Sequence, residues 1–256
     1  MRLPKSIFLL VSLLFIANNV VQAQLKSKTL VIKKKDLFVV GPTNSLILDT
    51  LIMEDKSTLR FWPHGKGILI VKHAFIGKNC LISSKGSTRF HGEDGGPLSL
   101  TIEFKELESL TIDASGGDGK NGTHGTNGSD GVPDREERYY VIENNVRVLK
   151  TRFIPGRPAT SGTPGTMGGV GGSGGDVSLT YSTTDFIINF NNTKGNHVVV
   201  IKNSAGRLGV PGRNGTSGTA YGRGMVDNIG SGNPNAKAGK ITDGKITLNN
   251  MAETTL

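Results

Sequence analysis

Three carboxylates are the residues of this chain best suited to acid/base chemistry. Glu93, Asp94 and Asp113 lie near the ends of predicted strands, and a pair of carboxylates is what a polysaccharide hydrolase uses. No motif surrounds them, and carboxylates at such positions are commonly solvated. Ser173 lies in a match to G-x-S-x-G over residues 171–175, but a nucleophile elbow needs a helix after the serine, and a strand is predicted there. The sequence therefore predicts no catalytic residue.

The possible metal ligands lack the spacing of a metal site. The histidines are scattered along the chain, at His64, His73, His91, His124 and His197, without the pairing that zinc sites show. Residues 116–121 partly resemble a calcium-binding nonapeptide repeat, and Asp118, Asp130 and Asp134 could offer oxygen ligands to calcium. No tandem copy of that repeat follows, and neither a Walker A sequence nor a dinucleotide fingerprint occurs. We expect no metal and no cofactor.

One cluster of cationic and aromatic residues is typical of a binding surface, because Arg and Tyr are enriched at binding hot spots. The candidate binding residues are Arg138, Tyr139, Tyr140, Arg147, Lys150 and Arg152. They lie in two alternating segments joined by Asn144-Asn145. Asparagine tolerates the positive φ of tight turns, so this pattern predicts a β-hairpin over residues 139–153. Neighbouring acidic residues partly neutralise the cluster, and the aromatic residues would also hold a small hairpin together.

The amino terminus predicts export. Arg2 and Lys5 precede the apolar run from Ile7 to Ile16, and a small-residue cleavage site ends at Ala23. This is the layout of a signal peptide over residues 1–23, so we expect a secreted, extracellular or cell-surface protein. No later stretch approaches the roughly 18 apolar residues of a spanning helix, so no membrane span is expected in the mature chain.

The net charge favours acidic partners. The formal charge is +9, which favours acidic glycans or other acidic cell-surface polymers. The cationic residues are scattered, and no run is longer than Lys33-Lys34-Lys35, so nucleic acid is not an expected partner. Cys80 is the only cysteine; it lies in an apolar stretch and is expected to be a buried, inert thiol.

Short alternating segments predict an all-β fold. Strands are predicted over residues 37–40, 45–52, 58–61, 67–71 and 80–83. Leu98, Leu100, Ile102 and Phe104 are predicted to face the core because they alternate with polar residues. Strands at this spacing suit a sandwich, a barrel or a β-solenoid. The hydrophobic triplets separated by Gly or Asn over residues 74–82 favour the solenoid over a sandwich-like framework.

Glycine recurs at every third residue in three segments, which we call the first (116–131), second (156–175) and third (206–218) glycine segments; in the second, Ala159 takes one of the glycine positions. Period three is the repeat of the polyproline II helix, whose glycine edge lets a neighbouring helix approach closely. Collagen also uses this period but needs long arrays with about 15–20% proline or more, whereas this chain has 10 prolines in 256 residues. The pattern therefore favours a bundle of polyproline II legs within one chain.

Repeated flanking sequences divide the chain into a framework and excursions from it. The exit Ile112-Asp113-Ala114-Ser115-Gly116 and the return Gly175-Asp176-Val177-Ser178-Leu179 have counterparts elsewhere in the sequence. The resulting units are a β-framework (24–115), a glycine-rich excursion carrying the hairpin (116–175), more framework (176–205), a second long excursion (206–244), and a final strand and tail (245–256). A shorter excursion, residues 86–96, leaves the framework earlier.

The glycine segments resemble the polyglycine II bundles of glycine-rich antifreeze proteins, of Obg-type GTPases and of phage-adhesin tips. The likeness rests on periodicity, and the adhesin resemblance fits best because the hairpin occupies the position of a recognition tip. Ice binding implies a flat face, which the charged hairpin interrupts. Residues 58–113 are similar to a right-handed parallel β-helix of the pectin-lyase-like kind, with no family catalytic residue to carry over.

The sequence thus predicts a structural or adhesive protein without catalytic activity, which presents a tip hairpin on glycine-rich legs. Two alternatives remain open. One is a carbohydrate-active enzyme, a polysaccharide lyase or hydrolase built on a β-helix. The other is a short collagen-like chain that trimerises.

Overall fold

The computed structural model describes residues 26–192, 195–221 and 241–251. The predicted signal peptide lies outside the described residues, as do residues 222–240 of the last predicted excursion and 252–256 of the tail. The described part contains fourteen β-strands and no α-helix. The predicted all-β class is therefore confirmed.

Two six-stranded parallel sheets make up most of the fold. The first sheet consists, in spatial order, of β1 (Lys26–Ile32), β3 (Ser45–Met53), β5 (Gly67–Ile76), β7 (Leu98–Leu107), β11 (Val177–Thr183) and β14 (Ile246–Asn250). The second sheet consists of β12 (Asn189–Phe190), β13 (Val198–Lys202), β8 (Ser109–Asp113), β6 (Cys80–Ser83), β4 (Thr58–Arg60) and β2 (Leu37–Val39). A separate antiparallel pair is formed by β9 (Arg135–Glu143) and β10 (Val146–Ile154).

The chain alternates between the two parallel sheets. Each of β1, β3, β5 and β7 is followed along the chain by a strand of the second sheet. The next strand of the first sheet then pairs in parallel with the previous one, as in Leu46↔Leu69 and Leu69↔Leu100. Because the register is kept from strand to strand, side chains of one type stack in rows. Leu46, Leu69, Leu100 and Leu179 form one such row, and all four are buried.

The core lies between the two sheets. Leu98, Leu100, Ile102 and Phe104 are buried as predicted, while the polar residues between them are partly exposed. Each buried Leu, Ile or Phe contributes roughly 1.5–3 kcal/mol relative to an exposed side chain. Inward rows from both sheets therefore account for most of the stability of the framework.

The five predicted strands of the framework are confirmed, and each begins at the predicted residue. The prediction was wrong about the end of β5, which continues to Ile76 rather than stopping at Val71. The register against β7 shifts between Val71 and Ala74, and Lys72 and His73 are both exposed. This irregularity breaks the alternation, so one strand reads as two in the sequence.

The hairpin is longer than the sequence indicates. Its strands reach from Arg135 to Ile154, against a predicted range of 139–153. The added part pairs Glu137 with Arg152 and Glu136 with Phe153. These segments are rich in charged residues, so the sequence of each one is typical of a loop. Only the pairing of the two strands shows that they belong to the hairpin.

Candidate functional site

The three glycine segments are joined to one another by a regular set of backbone hydrogen bonds. Glycine N–H groups of the first segment donate to carbonyls of the third, as from Gly122 to Val210 (2.9 Å). Glycines of the third donate to the second, as from Gly212 to Thr166 (2.9 Å). The second donates to the first, as from Thr166 to Thr123 (2.9 Å). The three segments thus close a ring of donors and acceptors that repeats every third residue.

Close backbone contact explains why these positions are glycine. A Cβ atom built on Gly212 would lie 1.9 Å from the carbonyl oxygen of Thr123, and one on Gly122 would lie 2.1 Å from that of Thr166. A Cβ on Gly169 would lie 1.4 Å from the carbonyl oxygen of Phe90, in the short glycine-rich segment 86–96. Carbon–oxygen contacts normally begin at about 3.3 Å. No other residue fits at these positions without separating the segments.

A row of polar side chains completes the contact between the first and third segments. Backbone N–H groups at Arg207, Val210, Arg213, Thr216 and Thr219 donate, at 2.6–3.0 Å, to the side chains of Asp118, Asn121, His124, Asn127 and Asp130 respectively. The role of these side chains as acceptors was not predicted, although a pattern in the sequence indicates it. An Asx or His recurs at one position of each glycine triplet in the first segment.

The residues considered for calcium are engaged in these structural contacts. Asp118 and Asp130 belong to the acceptor row, and Asp134 accepts a hydrogen bond from the N–H of Gly156 (2.7 Å). Within the described residues there is no group of three or more His, Cys, Asp or Glu side chains that could hold a metal ion.

The hairpin follows the first segment and precedes the second, so it caps the pair. An isolated bridge between Val132 and Arg157 closes its base. Asn144 and Asn145 both have positive φ, 50° and 63°, which is the conformation of the type I′ turn that suits two-residue hairpins. At about 3.1 Å per residue, a polyproline II helix over the first glycine segment (116–131) would be roughly 45–50 Å long.

The structure distributes the predicted binding residues over both faces of the hairpin. Alternation along the strands and the pairing Tyr139↔Lys150 place Tyr139, Lys150 and Arg152 on one face. The other face carries Arg138, Tyr140 and Arg147. The six residues therefore do not form one cluster.

Charge is arranged differently on these two faces. Lys150 forms an ion pair with Glu143, and Arg152 with Glu137 (2.5 Å), so these two cations of the first face are neutralised. On the second face the Arg147 guanidinium stacks over the Tyr140 ring, 4.1 Å from its centroid. We call this second face, with Arg138, Tyr140, Ile142, Arg147, Leu149 and Phe153, the tip face; it also carries Glu136, opposite Phe153.

The tip face exposes large apolar side chains. Ile142 is 79% and Phe153 63% exposed, and Tyr140 and Leu149 are also exposed. An isolated two-stranded hairpin is marginally stable in water. These side chains therefore add little to folding, because no described residue covers them.

The three carboxylates considered for acid/base chemistry each accept hydrogen bonds. Glu93 accepts from the Ser87 hydroxyl and pairs with Arg89 (2.8 Å), and these contacts hold the pKa of its carboxyl below the usual value. Asp94 accepts from the N–H of Ser173 (2.6 Å), and Asp113 from that of Ser115 (3.0 Å). Ser173, the residue of the G-x-S-x-G match, thus appears here as a backbone donor.

Two further expectations concern burial and membranes. Cys80 is buried, and its burial raises the pKa of the thiol, which lowers the fraction of reactive thiolate. No helix among the described residues is long and apolar enough to cross a membrane.

No known protein family, no curated protein sequence and no solved structure matches this chain.

Proposed function

We propose that this chain is a secreted or cell-surface adhesive protein, in which a β-solenoid framework carries polyproline II glycine legs with the hairpin at their tip. The alternation of consecutive strands between two parallel sheets supports the solenoid. The repeating hydrogen bonds and the close glycine contacts support the bundle of legs.

The exposed tip face is the observation that carries the adhesive function. A hairpin joined to the rest of the chain through glycine segments presents Tyr140, Ile142, Leu149 and Phe153 to solvent. Exposed apolar patches of this kind mark interaction sites in soluble proteins. Aromatic residues with arginine nearby are the side chains that dominate binding energies at interfaces.

The expected partner is an acidic glycan or another acidic cell-surface polymer. On the tip face Arg147 is held by an aromatic ring rather than by a carboxylate, so it keeps its charge available to an anion. On the opposite face Lys150 and Arg152 are already paired with Glu143 and Glu137, so that face is less suited to this role.

The two alternative functions have less support. In a collagen-like trimer the glycine N–H groups would donate to other chains, whereas here they donate within one chain. In a polysaccharide lyase or hydrolase one carboxyl acts as a general acid and needs a raised pKa, whereas Ser87 and Arg89 lower the pKa of Glu93. Asp94 and Asp113 accept hydrogen bonds from backbone N–H groups.

A double variant tests the tip without deleting it. Ile142→Ser with Phe153→Ser removes two exposed side chains, so we expect an unchanged fold and weaker binding to a glycan array or a cell surface. The matched control, Leu208→Ser with Val210→Ser, makes the same kind of change at exposed positions of the third glycine segment and should bind as the native protein does. Equal binding by the native protein and the tip variant would refute the role of the hairpin.

A further inference from the structure

The only tryptophan of the chain borders a cleft on the framework, remote in sequence from the hairpin. Trp62 follows β4 and is 51% exposed. The cleft beside it has a volume of about 290 Å³, and Arg60, His64, Arg89 and Glu93 contribute to its walls. Aromatic and polar groups that converge on a concave surface are typical of ligand sites.

Hydrogen bonds fix the position of Trp62. The buried Asn44 side chain accepts from the backbone N–H of Trp62 (2.8 Å) and donates to its carbonyl (3.0 Å). The indole Nε1 donates to the carbonyl of Val40 (2.9 Å). A scattered exposed aromatic needs no explanation, but this ring is anchored at both its backbone and its indole nitrogen. Because the ring is already fixed, a ligand that packs on it causes little further loss of side-chain conformational entropy.

Glu93 organises the opposite side of the cleft. Its carboxylate accepts from the Ser87 hydroxyl, pairs with Arg89 (2.8 Å) and lies 3.9 Å from His64 Nε2. The Glu93 side chain is largely covered, whereas Arg89 and His64 are mostly exposed. The carboxylate therefore holds polar donors at the mouth of the cleft.

Arg60 provides a cation on the strand itself. Its side chain is exposed, and among the described residues its guanidinium makes no hydrogen bond or ion pair. A guanidinium matches a carboxylate with two parallel hydrogen bonds. An anion in the cleft would find this group free to pair.

The cleft continues into a neighbouring groove that shares Arg60. That groove, of about 360 Å³, crosses the outer face of β2, β4 and β6 and reaches Lys85. Neighbouring strands lie about 4.8 Å apart, so the combined surface extends across the strands for roughly 10 Å. A short oligosaccharide fits along a surface of this length.

We propose that the Trp62 cleft binds an acidic glycan, a polymer of pyranose rings that carry carboxylates. The apolar face of one ring packs on the Trp62 indole, and a carboxylate pairs with Arg60. Glu93 and Ser87 face the sugar hydroxyls, which donate hydrogen bonds to a carboxylate. Single-stranded DNA fits less well because its deoxyribose rings carry no free hydroxyl to donate to Glu93. This site is independent of the hairpin and of the proposed function of the tip.

The single tryptophan makes the test specific to the site. Tryptophan fluorescence of the full chain is titrated with a heparosan tetrasaccharide, which contains glucuronate, and with the same oligosaccharide after reduction of its carboxyl groups. We expect a saturable change with the acidic form and about tenfold weaker binding of the reduced form, since it lacks the charge-assisted hydrogen bonds. Arg60→Ala should also weaken binding about tenfold, while Lys72→Ala, on the other sheet, should not change it.

Several results would overturn the proposal. They are the absence of a saturable change with the acidic form, equal affinity for the reduced form, and equal affinity of the Arg60 variant. Tighter binding of a short oligothymidylate would assign the cleft to single-stranded nucleic acid instead. Calorimetry with Trp62→Ala, whose circular dichroism is compared with the native protein, gives a second measurement that does not use fluorescence. The Ile142 and Phe153 double variant should bind the acidic tetrasaccharide at this cleft as the native protein does.

Discussion

Replacing Gly215 with alanine tests the packing of the glycine segments. The new Cβ would lie 1.9 Å from the carbonyl oxygen of Thr126. Because normal contact begins at about 3.3 Å, the first and third segments must separate locally by more than about 1 Å. Three of the hydrogen bonds between these two segments lie next to that contact: Gly125 to Arg213 (2.8 Å), Gly128 to Thr216 (2.8 Å) and Thr216 to Asn127 Oδ1 (3.0 Å).

The magnitude follows from those bonds. Each contributes about 1 kcal/mol net, so their loss costs about 3 kcal/mol. Alanine has fewer backbone conformations than glycine in the unfolded chain, which stabilises the folded state by roughly 0.4–1 kcal/mol. The net cost is about 2 kcal/mol, which corresponds to about 30-fold faster amide exchange through local opening.

Hydrogen exchange measured by mass spectrometry is the appropriate assay. Faster exchange is expected in the three glycine segments, with the two parallel sheets unchanged. Gly41→Ala is the matched control because its Cβ would have no neighbour within 4 Å. The reasoning fails if the Gly215 variant exchanges like the native protein, or if both variants show the same change.

Two further predictions concern single side chains. The contacts from Ser87 and Arg89 lower the pKa of Glu93 from its usual 4.5, so they stabilise the fold above about pH 4.5 and lose this effect as the pH falls through the lowered pKa. The melting temperature of Glu93→Gln should therefore lie below that of the native protein at neutral pH, with a gap that closes in acid; a gap independent of pH would contradict this. At the hairpin turn Asn145 has a φ of 63°, so Asn145→Val should weaken the hairpin by about 1–2 kcal/mol. Asn145→Gly should preserve it, as followed by amide exchange of β9 and β10; equal effects of the two would count against a strained turn.

Local patterns made the framework predictable. Alternation identifies which residues of β7 are buried, and turn residues mark where strands begin. Period three identifies the glycine positions, because backbone contact tolerates no side chain there. These features depend on neighbours in sequence, and they could be predicted without knowledge of the fold.

Contacts between distant residues were not predictable in this way. Asp118 and Arg207 are separated by 89 positions, and no local rule relates one glycine segment to another. The Trp62 cleft combines residues from the β4 turn with Arg89 and Glu93 from the segment after β6. The two faces of the hairpin required the strand register, because Tyr139 and Tyr140 are adjacent in sequence but point to opposite sides.

The acceptor row between the first and third glycine segments has a constant offset of 89 residues along its whole length. An insertion into only one segment would shift every later pair out of register. The three glycine segments can therefore change length only when a triplet is added to, or removed from, all three of them together. If the segments are polyproline II legs, as proposed, each such step changes their length by about 9 Å. Their length then varies only in whole triplets.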